Sequence, residues 1–281
     1  MKKTFLILFL FIGLTLTAQV ETPQPSPKAS IEQMVGLTNI SIDYSRPSLK
    51  GREIFGELIP YGKKWRTGAN QNTVVSFKDD VTVEGKALKA GSYALYTIPG
   101  KETWEIIFYS NTKNWGLPSK WDKSKEALRV SVRAEEIDYS METFTLLFDN
   151  LRNDSAVLRI MWQNTMVPIA ITTPSMEKAV KSIETTLSGK PTAADYYAAG
   201  SYYAAENKEL EKALGWVDKS ISMSDNPGHW MLRQKALIQA QLGKKKEAMQ
   251  TLKKSLQLAE KNEDAHYIKL NKETLKEWGV Q

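Results

Sequence analysis

Between Ile40 and Asn72 the chain reads ISIDYSRPSLKGREIFGELIPYGKKWRTGANQN, which places three guanidinium groups, Arg46, Arg52 and Arg66, in one short segment. A guanidinium offers a planar fork of N–H donors that matches a carboxylate or a phosphate. Asn70 and Asn72 add amides, and Trp65, with Trp115 and Trp121 further on, offers flat faces for a sugar ring or a cation. Gly51, Gly56, Gly62 and Gly68, with Pro47 and Pro60, interrupt regular structure throughout the segment. Loops held by a rigid scaffold are where binding residues concentrate. The candidate ligand site is therefore Arg46, Arg52, Trp65, Arg66 and Asn70, facing an anionic or saccharide-like ligand. A structural use of the same residues competes with this: Arg46 paired with Asp43 or a glutamate, Arg52 bonding loop carbonyls, and the tryptophans in the core of a sandwich.

Other chemistries are poorly supplied. The chain has no cysteine, which removes disulfides, thiolate metal sites and cysteine nucleophiles. Histidine occurs only at His229 and His266, in the second half, where helix packing or surface exposure is the simpler use and a metal claim is weak. A serine–histidine–aspartate triad has no histidine to draw on in the first half. Carboxylate pairs remain at Asp79–Asp80, Glu135–Glu136 and Glu102 with Glu105. Two acids across a cleft suit glycoside hydrolysis, but Asp79–Asp80 also suits a turn. The segment GANQN lacks the lysine and following helix of a phosphate loop. The basic triplet Lys244–Lys245–Lys246 falls at a turn between helices and reads as solvated rather than as a nucleic-acid patch. These residues predict no catalytic group, metal or cofactor. The competing function is a carboxylate-dependent hydrolase of envelope glycans.

The elements that must position these residues follow from hydrophobic periodicity. Asn39–Ser45 alternates, with Ile40, Ile42 and Tyr44 on one face, and so predicts a half-buried strand. Thr73–Phe77, Val81–Val83, Ser92–Ile98, Trp104–Tyr109, Leu128–Arg133, Glu142–Phe148, Ala156–Trp162 and Met166–Ile171 are strand-like in the same way. Glu84–Gly85–Lys86 reads as a turn, Asn111–Glu126 as irregular, and Lys28–Leu37 as either strand or helical turn. Eight or nine short strands joined by turns predict an antiparallel β-sandwich-like domain. After Pro174 prolines become rare and alanine, leucine and lysine take over. Helices are predicted at Ser175–Leu187, Ala193–Glu206 with Thr192 as N-cap, Leu210–Ser222, His229–Leu242, Lys245–Lys261 and Asp264–Trp278. Ala213 and Ala248, Val217 and Leu252, and Ser220 and Ser255 keep one offset, which points to a tetratricopeptide-like array of helical hairpins. Such arrays hold a peptide or protein partner on a concave face, and Tyr196, Tyr197, Tyr202 and Tyr203 recur at helical spacing there.

The N-terminus has Lys2 and Lys3, an apolar run from Phe5 to Leu16, and Thr17–Ala18–Gln19, the layout of a secretory signal peptide removed after Ala18. Losing Lys2 and Lys3 would bring the formal charge from +6 to +4. The expected organisation is a signal peptide at 1–18, a proline-rich spacer at 19–27, a β domain at 28–174 and a helical domain at 175–281. The mature chain is expected to be periplasmic or secreted, with no membrane span. The ordered series SPKAS at Ser26, DYSRP at Asp43, KGREIFG at Lys50, WRTGAN at Trp65 and KAGSYALYTIP at Lys89 resembles the family called Domain of Unknown Function 2911, over about residues 26–172. That resemblance implies a β-rich exported domain of Gram-negative bacteria, sometimes followed by tetratricopeptide-like helices, and implies no activity. The expectation is an exported, non-enzymatic binding or scaffold protein of the cell envelope.

Overall fold

The computed structural model describes residues 22–279, so the signal-peptide expectation lies outside the described residues. The chain divides into two compact units, Met1–Pro174 and Ser175–Gln281.

Among the described residues the first unit holds ten strands: β1 (Lys28–Val35), β2 (Thr38–Ser45), β3 (Thr73–Phe77), β4 (Val81–Val83), β5 (Lys86–Leu88), β6 (Gly91–Ile98), β7 (Thr103–Tyr109), β8 (Glu126–Arg133), β9 (Glu135–Asp149) and β10 (Ser155–Thr172). They form two antiparallel sheets, in the orders β1-β2-β3-β6-β7-β8 and β5-β4-β10-β9. The inward residues of both sheets meet in one core: Ile40, Ile42, Phe77, Ile106 and Phe108 from the larger, and Phe144, Leu158, Ile160 and Ile169 from the smaller. This is the sandwich arrangement that the alternating pattern requires.

Several expectations change, among them the strand expected at Glu142–Phe148, which starts at Glu135. The undecided stretch at Lys28–Leu37 is a strand, paired with β2 along its whole length from Lys28↔Ser45 to Val35↔Thr38. Lys86 is not part of a turn but the first residue of β5, because Glu84 and Gly85 both take left-handed conformations and make a two-residue hairpin bend. The two strands expected at 156–162 and 166–171 are one continuous strand, β10. The polar Gln163–Asn164 pair looks like a break, but the ladder with β9 absorbs it through two register shifts around Gln163, whose φ is 53°.

The segment between β2 and β3 leaves the six-stranded sheet and spans to the other one. Leu49 N–H donates to Glu142 O at 2.8 Å and Phe144 N–H to Pro47 O at 2.8 Å, around a Ser48–Thr143 bridge. The chain then returns to β6, where Trp65 and Thr97 exchange both backbone hydrogen bonds, at 2.7 and 3.0 Å. The segment carries its own apolar residues into the core: Ile54, Phe55, Ile59 and Trp65 are buried. Phe55, Trp65, Trp104, Phe144 and Trp162 pack ring against ring, with centroids 4.8–6.3 Å apart. Burying rings of this size dominates the energetics of a small core.

The described residues of the second unit form six helices: α1 (Ser175–Leu187), α2 (Ala193–Ala205), α3 (Leu210–Ser222), α4 (His229–Gln241), α5 (Lys245–Lys261) and α6 (Ala265–Glu277). Thr192 caps α2 in a reciprocal capping box with Asp195. The repeat has a structural basis. Ser220 Oγ on α3 donates to Ala193 O at the start of α2, at 2.6 Å, and Ser255 Oγ on α5 donates to His229 O at the start of α4, at 2.7 Å. Ala213, Ala248, Val217 and Leu252 are all fully buried. No helix among the described residues is long and apolar enough to cross a membrane.

Candidate ligand-binding site

A cavity of about 410 Å³ opens beside the β2–β3 segment. Lys50, Arg52 and Arg66 contribute its charges, and no carboxylate is found among its described lining residues. Trp65, Trp162, Leu58 and Ile59 supply its apolar wall, and Pro25, Ser26, Pro47 and Ser48 line it as well. Three cations with no lining acid make the cavity attractive to an anion.

The arginines differ in what holds them. Arg46 reaches across to the second sheet, where Nε donates to Phe144 O at 3.0 Å and Nη2 to Thr145 Oγ1 at 2.7 Å. It does not line the cavity, and it is not paired with Asp43, which instead accepts from Ser30 Oγ at 2.5 Å. Arg52 is exposed and closes its own turn, with Nε donating to Leu49 O at 2.9 Å and Nη2 to Ser48 O at 2.6 Å. Its carbonyl bonds use two of its donors while the cationic group stays at the cavity. Arg66 is half-buried, and its Nε is buried without a hydrogen-bond acceptor among the described residues. A Cβ built on Gly116 would lie 3.3 Å from Arg66 Nη1, so the glycine lets a neighbouring loop pass against the guanidinium.

Trp65 is 8% exposed, and its indole N–H donates to Gly68 O at 3.1 Å. Asn70, at φ 58°, donates to Ser26 O at 3.2 Å and to Ser45 Oγ at 3.4 Å. It lies outside the lining but fixes Ser26, which belongs to it. The backbone between Trp65 and Asn70 is strained. Thr67 is β-branched yet takes φ 54°, a conformation that costs on the order of 1–3 kcal/mol. It is held there by its hydroxyl, 3.1 Å from Thr97 Oγ1, and by Thr73 Oγ1, which donates to Thr67 O at 2.5 Å.

The structure thus brings Arg52, Trp65 and Arg66 to one cavity and sets Arg46 and Asn70 behind it as ties. Sequence reasoning missed Lys50 and Trp162. Lys50 sits at φ 49° before Gly51, so a cation in a tight turn was the available signal; Trp162 comes from the other sheet, and nothing local announces it.

The remaining candidates disperse. Asp79 accepts from Thr38 at 2.7 Å. Asp80 accepts from Lys89 Nζ at 2.7 Å and Ala90 N–H at 2.9 Å, bonds that hold its carboxyl below the usual aspartate range. Glu105 pairs with Arg129. Glu102, Glu135 and Glu136 do meet, with Glu53, Lys101 and Arg133, around a second cavity of about 420 Å³. Trp121 is packed on Tyr96 and Tyr109 and donates to Glu126 Oε1 at 2.5 Å, whereas Trp115 is 73% exposed. In the helical unit, His229 is buried with Nε2 3.1 Å from Asp264 Oδ2. Tyr203 is buried, and Tyr196, Tyr197 and Tyr202 are half-buried.

No curated protein and no solved structure matches the chain. A family model does, over residues 26–171, which takes in both sheets and every residue of the cationic cavity named above except Pro25. With just over half of its length matched, the chain belongs to the family described as a protein of unknown function, DUF2911.

Proposed function

We propose that this is an exported, non-enzymatic binding or scaffold protein of the cell envelope, with an anion-binding pocket in its β unit and a protein-recruiting face on its helical hairpins. The observation that carries the reading is Arg66. A half-buried guanidinium with an unsatisfied Nε is costly unless an anion completes it. Lys50 and Arg52 stand at the same cavity, whose described lining residues include no carboxylate; Glu142, the acid next to Lys50, uses Oε1 to accept from the Lys50 backbone N–H at 3.0 Å. The ligand class that fits is a carboxylate- or phosphate-bearing molecule with an apolar or sugar-like body against Leu58, Ile59 and the tryptophan edges. Thermal-shift titration with inorganic phosphate, citrate and an oligouronate tests it. The folded protein should be stabilised by at least one of these anions. Arg66→Gln should weaken that binding about tenfold to hundredfold, the range expected for a charge-assisted hydrogen bond. No stabilisation by any of the three, or an unchanged response in Arg66→Gln, would sink the pocket. Export is supported by the N-terminal sequence layout. It is checked by N-terminal sequencing of the protein from periplasmic and culture fractions, with Gln19 expected first.

One observation favours the alternative, a carboxylate-dependent hydrolase of envelope glycans: Glu53, Glu102, Glu135 and Glu136 share the second cavity. Glu135 and Glu136 are consecutive in β9, and consecutive strand residues point to opposite faces. Only one of that pair can work opposite Glu53 or Glu102. Release of reducing ends from peptidoglycan, abolished by Glu102→Gln, would establish this reading over the first.

A further inference from the structure

The chain between β7 and β8 is fastened from below and bare on top. Tyr96 Oη donates to Gly116 O at 3.0 Å, and Asn114 Nδ2 donates to Tyr96 Oη at 3.3 Å. Asn72 holds the same loop through its backbone N–H to Asn114 O at 3.3 Å and through Nδ2 to Thr112 O at 3.2 Å. Asp122 N–H donates to Tyr109 Oη at 3.3 Å, and Tyr96 and Tyr109 are both buried. On this fixed seat Trp115 and Leu117 stand out at 73% and 46% exposure, on either side of Gly116 at φ 91°. Trp115 is the most exposed large hydrophobic side chain among the described residues. A loop tied at so many points has no need of an apolar tip for its own stability.

The charge of the loop is mainly positive. Lys113, Lys120, Lys123 and Lys125 are exposed, and Asp122 is the sole acid between 111 and 125. Asp122 is occupied by Ser124, at 2.6 Å from its hydroxyl and 3.0 Å from its backbone N–H, with Lys125 3.8 Å away. Glu126, next in the chain, is engaged by Trp121 and Arg129. Lys64 lies 4.8 Å over the Trp121 ring and adds another cation.

We propose that residues 111–125 dock the protein peripherally on an anionic phospholipid surface, with Trp115 and Leu117 entering the boundary between headgroups and acyl chains and the lysines facing the lipid phosphates. Tryptophan is suited to that boundary because its ring is apolar and its N–H polar. Exposed lysines flanking a small apolar tip fit a negatively charged membrane plane. Two apolar side chains are too few for a stable protein interface, which buries about 800 Å² on each partner. The tip borders the anion pocket through the Arg66–Gly116 contact, but its docking needs none of that pocket's ligand.

Flotation of the full mature chain with vesicles tests it. The protein should partition onto phosphatidylglycerol–phosphatidylcholine vesicles, not onto phosphatidylcholine alone. The binding should weaken as salt is raised. The double variant Trp115→Ala/Leu117→Ala should lose at least about tenfold in partitioning with its melting temperature unchanged, since both side chains are exposed. Replacing Lys113, Lys120 and Lys123 by Gln should cost about fivefold each. Equal partitioning of the double variant and the wild type, or equal binding to both vesicle types, would overturn the proposal. So would a Trp115-dependent dimer seen by analytical ultracentrifugation without vesicles, because the tip would then be covered by a second copy.

Discussion

Three arginines within one loop segment have three different uses. Arg46 is an anchor: its two side-chain hydrogen bonds tie the start of the segment to β9. Arg46→Ala should therefore destabilise the β unit by about 1–3 kcal/mol, read as a lower denaturation midpoint, because Phe144 O and Thr145 Oγ1 lose a charged donor. Arg66 has no such partner among the described residues, and its Nε is buried. Arg66→Gln should leave the midpoint unchanged or raise it, since a poorly solvated cation is removed. That pair of opposite outcomes separates a tie from a binding group in one urea titration. Phe144→Ala sits at the other extreme. Its ring is fully buried among Tyr44, Trp65 and Trp162, and its loss should cost about 3–5 kcal/mol.

At the scale of elements, the loop ahead of β8 has a built-in acid sensitivity. Burial favours the neutral form of Glu126, but hydrogen bonds from Arg129 and Trp121, with the charges of Arg129 and Lys123, hold its carboxyl below the ordinary glutamate value. A depressed folded value means that this contribution is present above the ordinary value and lost as pH falls through the folded one. Trp121 should accordingly loosen from the Tyr96–Tyr109 pair on acidification, seen as a change in tryptophan emission, and Glu126→Gln should flatten that change. In the helical unit the close crossing of α2 and α3 depends on Gly200. A Cβ there would lie 2.6 Å from Val217 Cγ2 and 2.7 Å from Ala213 O. Gly200→Ala should push the helices apart and cost about 1–3 kcal/mol in a far-UV circular dichroism melt. The repeat was readable at this scale because it is written in local spacing: the offset shared by Ser220 and Ser255 is the same contact made twice. The continuity of β10 was not. Gln163 and Asn164 are turn-like residues, and only their partners keep them in a strand. Gln163 Oε1 accepts from Ile54 N–H at 3.1 Å, and Asn164 Nδ2 donates to Ile137 O at 3.3 Å and Tyr139 O at 3.2 Å.

At the scale of the molecule, each compact unit has hydrophobic clusters of its own. One β cluster joins both sheets, and the helical unit holds a cluster about Tyr203, Ala213 and Val217 and a smaller one about Ala236, Leu252 and Leu275. Fragments 22–174 and 175–279 should each fold when expressed alone, with a cooperative melt for each; a molten, non-cooperative fragment would show that its core is incomplete. Alternation of apolar residues marked most of the strands, and spacing by three and four marked the helices, since both follow from backbone geometry over a few residues. The clustering of arginines and glycines between Ile40 and Asn72 marked where to look for a site. Only the tertiary structure decided which of those residues share a cavity. The segment crosses from one sheet to the other and back, so Arg46 and Arg66 are separated by a route that pairs with Thr143 and then Thr97. Trp162 joins Trp65 at the cavity from a strand nearly a hundred residues later. The direction in which a side chain points is set by such long-range pairings, and no local periodicity encodes them.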